Sequence, residues 1–177
     1  MGKRCNERIA YHEAGHAVAS CLCGVVFRWV EICDPSRLPY SKVPHFVAQE
    51  LKRHDYNIKG DKIKILGRVK ALRRKQRFSD SDDILIWYSG PVCENIRFRD
   101  SLLMSYLNSF HELCYVEESY GNSDYHWKWV KKVMKQPKIW KAVEALAKEL
   151  LIRKKILYAE ATKIIDAAFF SPEPCPE

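Results

Sequence analysis

His12-Glu13-Ala14-Gly15-His16 is an H-E-x-x-H pentad inside a stretch that reads as helix. Residues four apart on a helix lie on one face one turn apart, so both imidazoles can reach a single metal ion. Glu13 is offset by one residue and flanks that metal, where a general base is needed to take a proton from water. Arg8-Ile9-Ala10-Tyr11 before the pentad and Ala17-Val18-Ala19 after it keep the segment helical. Gly15 lowers helix stability by about 1 kcal/mol relative to alanine, which implies that something approaches the backbone closely there. Zn2+ is therefore the expected cofactor, with His12 and His16 as ligands and Glu13 as the catalytic base.

Two histidines leave a catalytic zinc site short of a third protein ligand. The extended H-E-x-x-H-x-x-G-x-x-H pattern is absent. The remaining candidates are Glu94, His111, Glu117, Glu118, Asp124 and His126. Asp124 has one advantage: after Gly121-Asn122-Ser123, a turn can aim its short carboxylate inward. Its ordinary use would be to complement the dipole of a helix N-terminus.

The elements that position these residues read as mainly helical. The zinc helix spans about 5–23 and stops at Gly24. Val25 to Ile32, rich in β-branched and aromatic residues, reads as a short strand whose edge an extended peptide could join. Asp34 to Pro44 carries three prolines and reads as a loop. Helices are expected near 45–56 and 61–76, then from Ser79–Asp83 to about Phe98, with a kink or short break at Gly90-Pro91. Further helices are expected over Leu102–Glu118, from Asp124 to about Gln136, from Pro137 to about Lys155, and over roughly 158–169. The tail 171–177, with three prolines, is expected to fray.

Composition bounds the class. The 177 residues are 47% hydrophobic and 29% charged, with seven Gly and eight Pro, as suits one folded domain and not a disordered or fibrous chain. No apolar run reaches membrane-spanning length, and the chain enters its first helix without the apolar core of a signal peptide, so a cytoplasmic protein without a membrane partner is expected. Seven cysteines at positions 5, 21, 23, 33, 93, 114 and 175 form no C-x-x-C pair and read as free thiols. Between Lys52 and Arg77 eleven basic residues stand against Asp55 and Asp61, enough to account for the whole net charge of +8. That segment reads as an amphipathic helix with a solvated basic face. Contact with nucleic acid or an acidic protein partner is the other use of such a segment.

In motif order the chain resembles the FtsH peptidase family, the zinc metallopeptidase domain of AAA+ membrane proteases. Arg8-Ile9-Ala10-Tyr11-His12-Glu13-Ala14-Gly15-His16-Ala17 is similar to that family's zinc helix. Ser89-Gly90-Pro91-Val92-Cys93-Glu94 is similar to its Ala-Gly-Arg-x-Ala-Glu helix, with Pro91 at the usual Arg. Gly121-Asn122-Ser123-Asp124 matches the stretch that carries the family's third zinc ligand. Ala145–Leu151 and Leu157–Ala161 are similar to its closing helices. The resemblance implies a single peptidase-like domain over 1–170, mainly α and helical zincin-like, with a short strand element after the zinc helix. It also implies zinc at His12, His16 and Asp124, Glu13 as base, and Glu94 as a carboxylate that orients a histidine. No G-x-x-x-x-G-K-[ST] phosphate loop occurs, so an ATPase module is not expected in this chain. The function that follows is a stand-alone, ATP-independent zinc metalloendopeptidase acting on a peptide or unfolded protein. The alternative is a non-catalytic binding module working through residues 52–77.

Overall fold

Helix α1 (Lys3–Leu22) carries the pentad, and its buried face is built from small residues. Ala10, Ala14, Ala17, Val18 and Ala19 are fully buried, so neighbouring helices approach its axis closely. The structure is a computed structural model that describes residues 3–32, 40–42, 62–64, 67–71, 79–99 and 110–171. The order continues with β1 (Phe27–Ile32), β2 (Tyr40–Lys42), β3 (Lys62–Lys64), β4 (Gly67–Ala71), α2 (Asp80–Phe98), α3 (Phe110–Tyr120), α4 (Ser123–Met134), α5 (Pro137–Arg153), β5 (Lys155–Leu157) and α6 (Tyr158–Phe170). The fold is mainly α, as expected. No helix among the described residues is long and apolar enough to cross a membrane.

Helix α1 packs most extensively on α2, then on α5. Helix α2 starts at a capping box: Ser79 Oγ accepts from the Asp82 backbone at 3.2 Å, and Asp82 Oδ2 accepts from the Ser79 backbone at 3.3 Å. Of the kink or short break expected at Gly90-Pro91, a break does not occur: α2 runs through Pro91 to Phe98. Pro91 forfeits one helical hydrogen bond, but Gly90 lies so close to α1 that packing holds this turn in place. Helix α5 opens with Pro137 in its first turn, the position where a missing N–H costs nothing.

The sheet departs from expectation. Strand β1 is the middle of a three-stranded antiparallel sheet, ordered β4-β1-β5. It pairs Val30 with Val69 of β4 and Val30 with Ile156 of β5, so both its edges are occupied and neither is open to an extended peptide. The helix expected over 61–76 is replaced, where described, by β3 and β4. Lys62-Ile63-Lys64 and Arg68-Val69-Lys70 alternate charged and apolar residues with period two, and pairing of the first with β2 and of the second with β1 favours that reading over the three-residue spacing of the same apolar residues. Strand β3 pairs with β2, which places a strand inside the expected proline loop. The helix expected near 45–56 lies outside the described residues, as does the tail beyond Ser171.

A candidate metal centre

The i,i+4 spacing on α1 brings the two imidazoles together with their ring centroids 4.7 Å apart. Their Nε2 atoms are 3.0 Å from each other, and Glu112 Oε1 of α3 is 3.2 Å from each. Among the described residues these three are the group whose donor atoms converge as metal ligands do. Glu112 is buried on the same face of α3 as Leu113 and Val116, so the packing that buries those side chains also carries its carboxylate inward.

Both imidazoles are held from behind. His16 Nδ1 donates to the Ile86 carbonyl at 2.7 Å. His12 Nδ1 lies 3.5 Å from Glu94 Oε2, and Arg8 Nε donates to Glu94 Oε1 at 2.9 Å. Hydrogen bonds at Nδ1 leave the Nε2 lone pairs aimed at one point, the arrangement in which a carboxylate or carbonyl behind a histidine fixes its tautomer. Gly90 of α2 forms the floor. A Cβ there would lie 2.3 Å from His16 Nε2 and 2.8 Å from His12 Nε2. Gly15 serves the same crossing from the other side, where a Cβ would lie 2.6 Å from the Ser89 carbonyl oxygen. That is the close approach implied by a glycine in the pentad.

These donors fit zinc. Tetrahedral zinc with ligands at about 2.0–2.1 Å separates its donors by about 3.3–3.4 Å, close to the observed 3.0–3.2 Å. Two lone pairs facing each other at such a distance repel unless a proton or a cation lies between them. Two imidazoles and one carboxylate are also an ordinary catalytic zinc set.

The electrostatics divide the charged groups. Burial lowers the affinity of His12 for its proton, but the charge and hydrogen bond of Glu112, with help from Glu94 and Glu13, outweigh it and hold the imidazole well above its usual range. Burial likewise works against a charged Glu112, and the two histidines outweigh it, so its carboxyl stays well below the usual carboxylate range. Glu13 is buried, and among the described residues no such bond reaches it. Desolvation pushes it up to about 7, against the lowering effect of His12 and His16 and with smaller upward contributions from Glu112 and Glu31.

Glu94 lies beside His12, with its Oε2 3.5 Å from Nδ1. Asp124 does not join the cluster. It is an exposed residue in the first turn of α4, and Lys128 Nζ donates to its Oδ2 at 2.6 Å. Gly121 and Asn122 both take left-handed backbone angles, φ 63° and φ 46°, and the turn they make sends Asp124 outward to an i,i+4 partner. The ordinary use of a first-turn carboxylate prevails there, and the carboxylate that meets the histidines is Glu112. Glu117 and Glu118 are exposed, and His126 packs edge-on against Tyr125 with centroids 5.5 Å apart. The side chain of His111 lies outside the described residues. Of the basic 52–77 segment, only 62–64 and 67–71 are described, as strands.

Sequence reasoning missed Glu112, although one signal for it exists: it interrupts an apolar stripe with Leu113, Val116 and Tyr120 and has no lysine or arginine three or four residues away. Neither models of known protein families nor curated proteins match this chain.

Proposed function

We propose that this chain is a zinc-dependent peptidase that hydrolyses peptide bonds in peptides or unfolded proteins, with a helical zincin-like domain. The observation that carries the reading is the convergence of His12 Nε2, His16 Nε2 and Glu112 Oε1 within 3.0–3.2 Å, beside the buried carboxylate of Glu13. A purely structural ion pair between histidine and glutamate has no use for a second buried carboxylate on the same helix turn.

In this reading His12, His16 and Glu112 hold the metal. When bound, zinc supplies Lewis-acid polarisation of a carbonyl oxygen and acidification of water. Glu13, next to both ligating imidazoles, takes a proton from the attacking water and returns it to the leaving amine. Glu94, braced by Arg8, and the Ile86 carbonyl keep both rings in the ligating tautomer. Kinship with the FtsH peptidase family rests on the order of the motifs, and Glu112 in the role that the resemblance gives to Asp124 departs from that family's pattern.

The test uses the full chain with metal analysis and an unstructured protein substrate. Glu13→Gln is expected to fold and hold zinc but lose about 10²–10⁴-fold in turnover. Glu112→Gln is expected to lose stoichiometric zinc, whereas Asp124→Asn retains it. Parental turnover in Glu13→Gln would sink the catalytic reading. Undiminished zinc in Glu112→Gln would sink the ligand set.

A further inference from the structure

At the C-terminal end of α2, Asn95, Ile96 and Arg99 face Lys131 of α4 and Lys135, the residue that caps it, across a cleft of about 560 Å³. Five cations elsewhere sit on carboxylates: Arg8 on Glu94, Arg97 on Glu7, Lys128 on Asp124, Arg153 on Glu160 and Lys155 on Glu31. The three cations of this cleft make no ion pair with a carboxylate among the described residues. Lys131 instead donates to the neutral Oδ1 of Asn95 at 2.7 Å. Asn95 is itself buried. Lys131, in the last turn of α4, and Lys135, its C-cap, stand four apart with like charge. Burial, then the charge of Lys135, pulls the Lys131 ammonium below the usual lysine range. Arg99 ends α2 in the left-handed region at φ 53°, where glycine is the favoured residue.

We propose that this cleft binds a small oligophosphate group, with Arg99, Lys131 and Lys135 as its cationic ligands and Asn95 holding Lys131 in place. Three positive charges converge on one concave volume of the size that small-molecule sites occupy. Arg99 offers a planar fork to phosphate oxygens, and the two lysines act as point charges beside it. Among the described residues the lining is polar and cationic apart from Ile96, so recognition there falls on the phosphates. The site is independent of the peptidase reading, because it needs neither the metal nor turnover.

The experiment titrates the full chain with pyrophosphate by calorimetry at physiological ionic strength with EDTA present. Saturable one-to-one binding is expected, tighter than that of inorganic phosphate or citrate. Lys131→Met and Lys135→Met should each weaken it about tenfold or more. The same change at the exposed Lys148 and Lys163 should leave it intact. Arg99→Gly should weaken binding while keeping or raising the melting temperature, since glycine suits φ 53°, so loss of binding there is not loss of fold. His12→Ala should bind pyrophosphate as the parent does. Non-saturable binding, equal losses in the Lys148 and Lys163 controls, tighter binding of citrate, or loss confined to His12→Ala would each overturn the proposal.

Discussion

Gly90→Ala should separate the fold from the proposed metal site. The added Cβ would lie 2.3 Å from His16 Nε2, 2.7 Å from His16 Cδ2 and 2.8 Å from His12 Nε2. Ordinary carbon contacts begin at about 3.5 Å, so one or both imidazoles must shift by roughly 1 Å. Two effects on stability oppose each other. Alanine is favoured over glycine in a helix interior by about 1 kcal/mol, and overpacking costs about 1–3 kcal/mol. The atoms struck are the far ends of two side chains, which can rotate aside, so net destabilisation should stay within about 2 kcal/mol. Metal ligands tolerate far less, since plausible sites keep their distances within about 0.2 Å. A 1 Å displacement of either nitrogen therefore removes a ligand.

The assay pairs thermal unfolding with competition for zinc against a chromophoric chelator. A folded Gly90→Ala protein with zinc affinity lowered at least about 100-fold is expected. Gly15→Ala is the contrasting variant, because its Cβ would meet the Ser89 carbonyl oxygen at 2.6 Å and Cys93 Sγ at 2.9 Å. Backbone cannot rotate aside, so α1 and α2 must separate, and the loss should appear first in the unfolding temperature. Parental zinc affinity in folded Gly90→Ala would refute the placement of α2 beneath the histidines.

Tyr115 and Tyr120 both donate to Asp83 Oδ2, at 3.1 and 2.7 Å, and tie α3 to the start of α2. Replacing both with Phe should cost about 1–2 kcal/mol and weaken zinc several-fold through the helix that carries Glu112; a stability loss with unchanged zinc affinity would show that Glu112 is held otherwise. Burial pushes the Cys21 thiol up to about 11 and the Cys23 thiol up to about 12, so at pH 8 only about a thousandth of Cys21 is thiolate. Alkylation of the native chain, read on peptide 9–28, should run at least about 100-fold slower than in denaturant and accelerate with pH at Cys21 before Cys23. Hydrogen bonds from Ser79 hold the Asp82 carboxyl below its ordinary value despite a small opposing effect of burial, so its contribution is present above the unfolded Asp value and is lost as pH falls through the folded one. Ser79→Ala should cost about 1 kcal/mol at pH 7, with a smaller difference near pH 3 in urea unfolding.

The features legible in the sequence are those that local geometry controls. His12 and His16 meet because four residues make one helical turn, and Gly15 marks a helix crossing because alanine would have been the better helix former. Pro137 and Ser79 announce their helices through the donors and acceptors that a first turn leaves open. The readings that failed depend on distant partners. Lys62–Lys64 and Gly67–Ala71 satisfy a helical and an extended pattern equally well, and distant strands select the extended one: β2 pairs with the first and β1, more than thirty residues away in sequence, with the second. Strand β5 is three residues long and exists because Ile156 is buried against Val30. No local signal marks it. Pro91 reads as a kink or short break because its missing hydrogen bond is a local cost, whereas the packing that keeps α2 continuous lies in α1.

The two carboxylates Asp124 and Glu112 show the same division within one chemical class. A carboxylate in the first turn of a helix with a lysine four residues on is already satisfied by its own helix, and Asp124 has both the dipole and Lys128. Such a residue gains little by turning inward, since it would surrender two favourable interactions and incur desolvation. Glu112 is in the opposite position. Its helix offers it no cation, its neighbours Leu113 and Val116 require burial, and its partners His12 and His16 stand 100 and 96 residues earlier. A carboxylate driven into the interior by the residues around it must find positive charge there, and on this chain that charge comes from the imidazole pair or from a metal they hold. For the proposed metal centre, the carboxylate that lies on an apolar stripe with no Lys or Arg three or four residues away is therefore the stronger ligand candidate, ahead of one that opens a helix after a turn.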